Sequence, residues 1–156
     1  MGIAGMDFCM KSGIGSYARQ IGELQIGALV AVNALGDIYD WKSGRKLAGL
    51  LAEDRRSFRG TEELMYADTR AVDNKFTGNT TIGVIITNAA FQKPSLCKIA
   101  GMAHDGYTRS IRPVHTTADG DSIYAVSVGN ADGSRVCADQ DLVGALAAEV
   151  MSEAIT

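Results

Sequence analysis

Residues 24–34 (LQIGALVAVNA) form a nearly continuous β-branched and apolar run without a single charge. Such a run is the mark of a strand buried on both faces, so the rest of the chain has to supply layers around it. Leu35-Gly36-Asp37 turns the backbone out of this strand. A second strand, residues 80–88, contains TTIGVIIT and is entered through the turn-forming pair Gly78-Asn79. A third, within residues 119–129 (DGDSIYAVSVG), follows a tight Asp-Gly-Asp turn.

Helical signals separate these strands. Pro94 stands where a helix favours proline, and Leu96, Ile99, Ala100 and Ala103 give an apolar stripe for a helix to about residue 110. Residues 139–155 predict a second helix, with Asp139 or Asp141 near its start and Leu142, Val143, Leu146, Val150 and Met151 on one face. Residues 37–51 read as a short strand or hairpin around Ser43-Gly44, and residues 1–22 are glycine-punctuated without a clean period. Residues 52–79 are charged and aperiodic, longer than an ordinary connection, with one helical turn starting at Thr61. Strands separated by helices in this way predict a single α+β or layered α/β domain over residues 1–156.

Bulk properties narrow the function classes. The net charge of −3 offers no basic footprint, which argues against nucleic acid and anionic membrane as partners. No apolar run approaches the ~20 residues of a membrane span, and Asp7 and Lys11 interrupt the first residues where a signal peptide would need an apolar stretch. Cys9, Cys97 and Cys137 lack CxxC spacing and read as reduced thiols of a cytoplasmic protein.

Four groups of residues could carry chemistry. Thr80 and Thr81 open a strand, as β-favouring residues often do. Alternatively, one hydroxyl acts as a nucleophile, activated by its own α-amine once the chain is cut before it. Asp119 and Asp121 sit two apart on a tight turn, either as a plain turn or as carboxylates that orient a hydroxyl. Asn33 is an amide inside an apolar run, either satisfying backbone or donating to an oxyanion. Lys11, in MKSGIGS, is a solvated lysine or a cationic site residue. His104 and His115 lie far from any triad or metal pattern and read as structural.

Taken in order, SGIGSYARQIGELQIGALVAVNALGDI, NTTIGVIITNA and KIAGMAHDGYTRSIRPVHTTADGDSIYAVSVG resemble the P1/DmpA family of self-processing N-terminal-nucleophile peptidases. That family includes L-aminopeptidase/D-esterases, β-peptidyl aminopeptidases and 6-aminohexanoate-oligomer hydrolases. The resemblance implies a nucleophile at Thr80, self-cleavage between Asn79 and Thr80 into residues 1–79 and 80–156, and an oxyanion role for Asn33. It places the acidic pair at Asp119 and Asp121, as in the 6-aminohexanoate-oligomer hydrolase branch, and offers Lys11 for that branch's site lysine. It implies no cofactor or metal and a small peptide or amide substrate.

The implied fold is a four-layer αββα sandwich, incomplete here because family members are roughly twice as long and the absent part is N-terminal. Association follows as an expectation, either a homo-oligomer or a complex with a chain that supplies the other half. Two alternatives to a hydrolase remain. One is a truncated, non-catalytic remnant acting as an interaction module. The other is an acyltransferase of the ornithine acetyltransferase type, although TTIGVIIT lacks the methionine-rich segment that follows the threonine in those enzymes.

Overall fold

The computed structural model describes residues 3–4, 6–67 and 78–156. After a 3-10 turn at Met6–Phe8 come β1 (Ile14–Ile21), β2 (Leu24–Ala31), β3 (Asp37–Tyr39), β4 (Lys46–Ala48) and α1 (Thr61–Tyr66). Next follow β5 (Ile82–Thr87), α2 (Lys93–Ser110), β6 (Ile111–Arg112), β7 (Ser122–Ser127) and α3 (Gln140–Ile155).

The main sheet has the order β1-β2-β5-β7. β1, β2 and β5 pair antiparallel, whereas β5 and β7 run parallel, Ile82 opposite Ser122 through Thr87 opposite Ser127. A parallel neighbour cannot be reached by a tight turn, and the helix α2 makes the crossover. Both long helices pack on one face of this sheet. Leu24, Ile26, Ala28 and Val30 of β2 and Ile85 of β5 point into a core completed by Ile99, Ala103 and Tyr107 of α2 and Val143, Leu146, Ala147, Val150 and Met151 of α3. α3 starts as its sequence predicts, with Asp139 Oδ1 accepting from Leu142 N at 2.9 Å. Leu142 itself, expected on the buried stripe, is exposed.

β2 is not buried on both faces. Its residues alternate, and the second face of the sheet is uncovered and apolar: Ile14, Leu29, Ile82 and Tyr124 are 76%, 46%, 51% and 65% exposed, with Ile86 and Val126 beside them. The run looked two-sided in sequence because both of its faces are apolar, although only one is covered here. β1 was not legible either. Ile14–Ile21 is almost wholly exposed, and what makes it a strand is its pairing along the length of β2.

The expected hairpin around Ser43-Gly44 is β3–β4, which joins β6 in a second sheet of order β4-β3-β6. The helical turn expected from Thr61 is α1. Most of the remaining charged segment before Gly78 lies outside the described residues, which resume at Gly78. A small second core of Ile3, Leu35 and Leu50, with Phe8, Leu64, Met65 and Ala118 around it, seats the chain between β2 and β3 beside the loop that precedes β7. That loop carries Asp119 and Asp121, so two sequence-distant segments flank the entry to β5. None of the described helices is long and apolar enough to cross a membrane.

Candidate active site

Asn79 and Thr80 lie just before β5, between the end of β2 and the loop before β7. Asn79 is buried, and its backbone bridges to Asp119. Thr80 N donates to Asn33 O at 2.8 Å, which ties the strand entry to the Asn33 segment. Thr80 Oγ1 donates to the carbonyl oxygen of Asn79, its own preceding residue, at 2.6 Å. The same carbonyl accepts from Gly120 N at 2.9 Å. A hydroxyl and a second donor therefore converge on the Asn79–Thr80 peptide bond.

Gly120 is a glycine for a local reason. A Cβ built there would stand 2.8 Å from Thr80 Oγ1, closer than real side chains approach. The missing side chain lets the Gly120 amide and the Thr80 hydroxyl share one carbonyl oxygen. This donor was not singled out from the sequence, where Gly120 reads only as part of a turn.

Of the four residues expected around Thr80, Asn33, Asp119 and Asp121 are nearby, but their side chains do other work than the sequence suggested. Asn33 Nδ2 donates to Gly78 O at 2.9 Å, one residue before the carbonyl it was expected to serve. Asp119 Oδ1 accepts from Leu35 N at 3.3 Å, and its Oδ2 accepts from Thr116 N at 3.0 Å and Thr116 Oγ1 at 2.7 Å. Asp121 Oδ1 accepts from Thr81 N at 2.9 Å. Among the described residues neither carboxylate bonds the Thr80 hydroxyl; both fix the backbone around it. Lys11 is not brought in. It is exposed and lines a hollow with Gly13, Val32 and the end of α3.

Thr81, read from sequence as a plain strand residue, is fully buried and held from both sides. Its carbonyl is within 3.3 Å of the Tyr107 hydroxyl, which also lies 3.3 Å from Ser122 O. Tyr107 is buried, and that burial, with the charge of Asp121 behind it, raises its pKa far above the ordinary phenol range. It therefore stays protonated and serves as a donor. Thr81 Oγ1 is buried and has no hydrogen-bond partner among the described residues.

His115 and His104 read from sequence as structural and far from any carboxylate pattern, but the structure joins both in a chain to Asp121. His115 Nδ1 lies 2.8 Å from Asp121 Oδ2, and His104 Nδ1 lies 3.3 Å from His115 Nε2. Burial and the neighbouring His115 hold the His104 pKa below the usual histidine value, against the opposing pull of Asp121 and Asp105. No local spacing announces this cluster, because α2 contributes His104 and the loop from β6 to β7 contributes the rest.

A hollow of about 1300 Å³ opens at the other end of β5, around Thr87, Asn88 and Asn130. Thr80 is not on its wall.

The family model for peptidase family S58 matches residues 2–156. The chain belongs to peptidase family S58. It is 34% identical over 127 residues to an uncharacterised aminopeptidase of Mycobacterium tuberculosis, covering 77% of this chain and 36% of that protein. It is 31% identical over 155 residues to the 6-aminohexanoate-oligomer endohydrolase of Kocuria sp., covering 92% of this chain and 43% of that one. This S58 chain thus spans well under two thirds of the length of the curated relatives it matches.

Among solved structures, the L-aminopeptidase D-Ala-esterase/amidase of Ochrobactrum anthropi, described as a variant of the Ntn hydrolase fold, superposes with a TM-score of 0.58. It is 19% identical, over 95% of this chain and 40% of that one. The β-aminopeptidase of Burkholderia sp. gives a TM-score of 0.54 at 20% identity, over 95% of this chain and 42% of that one. The S58 chain therefore has the expected α+β architecture and forms part of the larger fold those proteins complete.

Proposed function

We propose that this chain carries the nucleophile half of a self-processing amide hydrolase, with Thr80 as the nucleophile. The observation that carries this reading is the convergence of Thr80 Oγ1–H, at 2.6 Å, and Gly120 N–H, at 2.9 Å, on the Asn79 carbonyl oxygen. The hydroxyl is already beside the bond it would attack, and the Gly120 amide stands where negative charge would develop.

In the self-cleavage step Thr80 Oγ1 adds to the Asn79 carbonyl carbon. The C–N bond breaks, Thr80 N takes up the proton the hydroxyl gives up, and an Asn79–Oγ1 ester forms. Water hydrolyses that ester, leaving residues 1–79 and residues 80–156 with a free α-amine on Thr80. An α-amine titrates near ~7.7–8.0 and can deprotonate Oγ1 for attack on an external amide at neutral pH. Departure of the 78–79 segment frees Asn33 Nδ2 and Gly120 N for the carbonyl of the substrate. Asp119 and Asp121 keep the backbone around Thr80 in place during both steps.

The substrate class this reading favours is a small peptide or another linear amide, in keeping with relatives named aminopeptidase and 6-aminohexanoate-oligomer endohydrolase. The exposed thiols of Cys97 and Cys137 support a reducing, cytoplasmic setting.

A second reading, a chain that is inactive until joined by a partner, is favoured by the uncovered sheet face. An antiparallel sheet can leave one face to water when that face is polar, but this face is apolar, and an apolar face of this extent marks an interface. The occupant we infer is a second sheet from the remainder of the S58 fold, in the same polypeptide or a partner chain. Intact-mass spectrometry of the purified protein tests the main reading. The expected result is a split at Asn79–Thr80 that disappears in Thr80→Ala, together with release of p-nitroaniline from an aminoacyl p-nitroanilide by the cut form. An uncut wild-type protein with full hydrolase activity refutes it.

A further inference from the structure

His115 sits in the loop between β6 and β7 with φ at 57°. That left-handed conformation is uncommon for residues other than glycine, with Asn, Asp and His the main exceptions. From it, Nδ1 reaches Asp121 Oδ2 at 2.8 Å while Nε2 faces His104 Nδ1 at 3.3 Å. The Asp121 side chain is only 4% exposed, whereas that of His115 is 36% exposed.

The chemistry of these groups orders the protons. An ionised carboxylate only accepts, so the hydrogen between Asp121 and His115 belongs to His115 Nδ1. A neutral imidazole with Nδ1–H has its lone pair on Nε2, so His104 Nδ1 is the donor in the next link. The neighbouring rings pack around this cluster. His104 and His115 meet edge-on with centroids 4.9 Å apart, and the Tyr107 ring lies 5.3 Å from His104 and 6.0 Å from His115. Tyr107 in turn reaches the Thr81 carbonyl, so the residue after Thr80 is held at its amide by Asp121 and at its carbonyl by Tyr107.

We propose that His115 is a positioning residue of the Thr80 site: its Nδ1–H holds Asp121 Oδ2 so that Oδ1 stays on the Thr81 amide. Asp121 sets which His115 nitrogen bears the hydrogen, and His104 completes the chain at Nε2. A carboxylate has a broad, roughly two-fold terminal torsion. With one oxygen released it swings, and the peptide between Thr80 and Thr81 loses its anchor. The nucleophile is attached to that peptide, and small misplacements at a reacting group are costly. The inference rests on Thr80 being the nucleophile for its functional consequence, but the geometry it describes concerns the Thr81 amide.

Two variants separate side chain from backbone. His115→Gly removes the ring and accepts the left-handed backbone freely. His115→Asn also tolerates that backbone and keeps a side-chain N–H near the position of Nδ1. Three measurements apply: the ring tautomer of His115 by nitrogen NMR, hydrogen exchange at the Thr81 amide, and the rate of cleavage at Asn79–Thr80.

The expected result is an Nδ1–H tautomer in the wild type. In His115→Gly, exchange at Thr81 is about tenfold faster and cleavage slower by on the order of 10²-fold. In His115→Asn, both values return most of the way to wild type. An Nε2–H tautomer, unchanged Thr81 exchange in His115→Gly, or an Asn variant no better than the Gly variant overturns the proposal. If the wild type shows no Thr80-dependent cleavage, the nucleophile reading fails, while tautomer and exchange still decide the role of His115.

Discussion

Asp37 is the test of how the segment leading toward the candidate site is held. It opens β3, is 1% exposed, and accepts four hydrogen bonds. Oδ1 takes Leu50 N at 2.9 Å and Thr61 Oγ1 at 2.8 Å; Oδ2 takes Thr61 N at 2.8 Å and Lys46 Nζ at 2.8 Å. The backbone presses close as well: Gly49, at φ 151°, has no room for a Cβ beside the carboxylate. Burial works against the Lys46 ammonium, but the hydrogen bond and charge of Asp37 outweigh it and hold the Lys46 pKa above the ordinary lysine value. One carboxylate thus ties β4 and the start of α1 to β3.

In Asp37→Ala the Leu50 and Thr61 amides lose their acceptor in a buried setting, at about 1–3 kcal/mol for each orphaned donor. Lys46 loses its counter-charge, and breaking a buried pair costs about 3–5 kcal/mol in comparable cases. These costs overlap, because the loop relaxes once released, so the expected loss is about 3–5 kcal/mol in all. That is a large part of the ~5–15 kcal/mol that holds a domain together. Asp37→Asn therefore accompanies it. It keeps one acceptor oxygen but turns an amide NH2 toward Lys46 and Thr61 N, and should fall between wild type and Ala. Urea unfolding followed by circular dichroism reads both as shifts in midpoint at constant slope. A loss below ~1 kcal/mol in Asp37→Ala would show that the carboxylate is not a buried hub and would refute the reasoning.

Gly120→Ala should leave the protein folded but slow cleavage at Asn79–Thr80 by on the order of 10²-fold, since its Cβ displaces the Thr80 hydroxyl from the carbonyl; time-resolved gel analysis giving the wild-type rate would count against the geometry. His104 takes a proton near 6.5 when unfolded but only at lower pH when folded. Between those values the unfolded state binds more protons, so stability falls as pH drops below about 6.5. Replacing His104 with Gln should flatten that fall in unfolding curves collected across the range. Leu29→Glu on the bare sheet face should leave the fold of an isolated chain intact and abolish any association seen by light scattering; unchanged association would move the interface elsewhere.

The sequence by itself determined the elements whose patterns are local. β5, β7, α2 and α3 follow from β-branched runs, Pro94, the Asp139 cap and helical apolar spacing, all of which act over a few residues. It also determined the order Asn33, Asn79-Thr80, Asp119 and Asp121, residues that the structure gathers around one peptide bond. Only the tertiary structure decided what each side chain binds. Asp121 reaches the Thr81 amide because β7 runs parallel to β5, which no residue-level pattern in either strand specifies. The same folding brings His104 at the α2 surface to His115 in a loop, a pairing set by chain closure rather than by spacing. β1 became a strand through pairing rather than composition, and β2 proved to be covered on one face only, since an apolar residue records its preference for burial and not whether a partner surface is present.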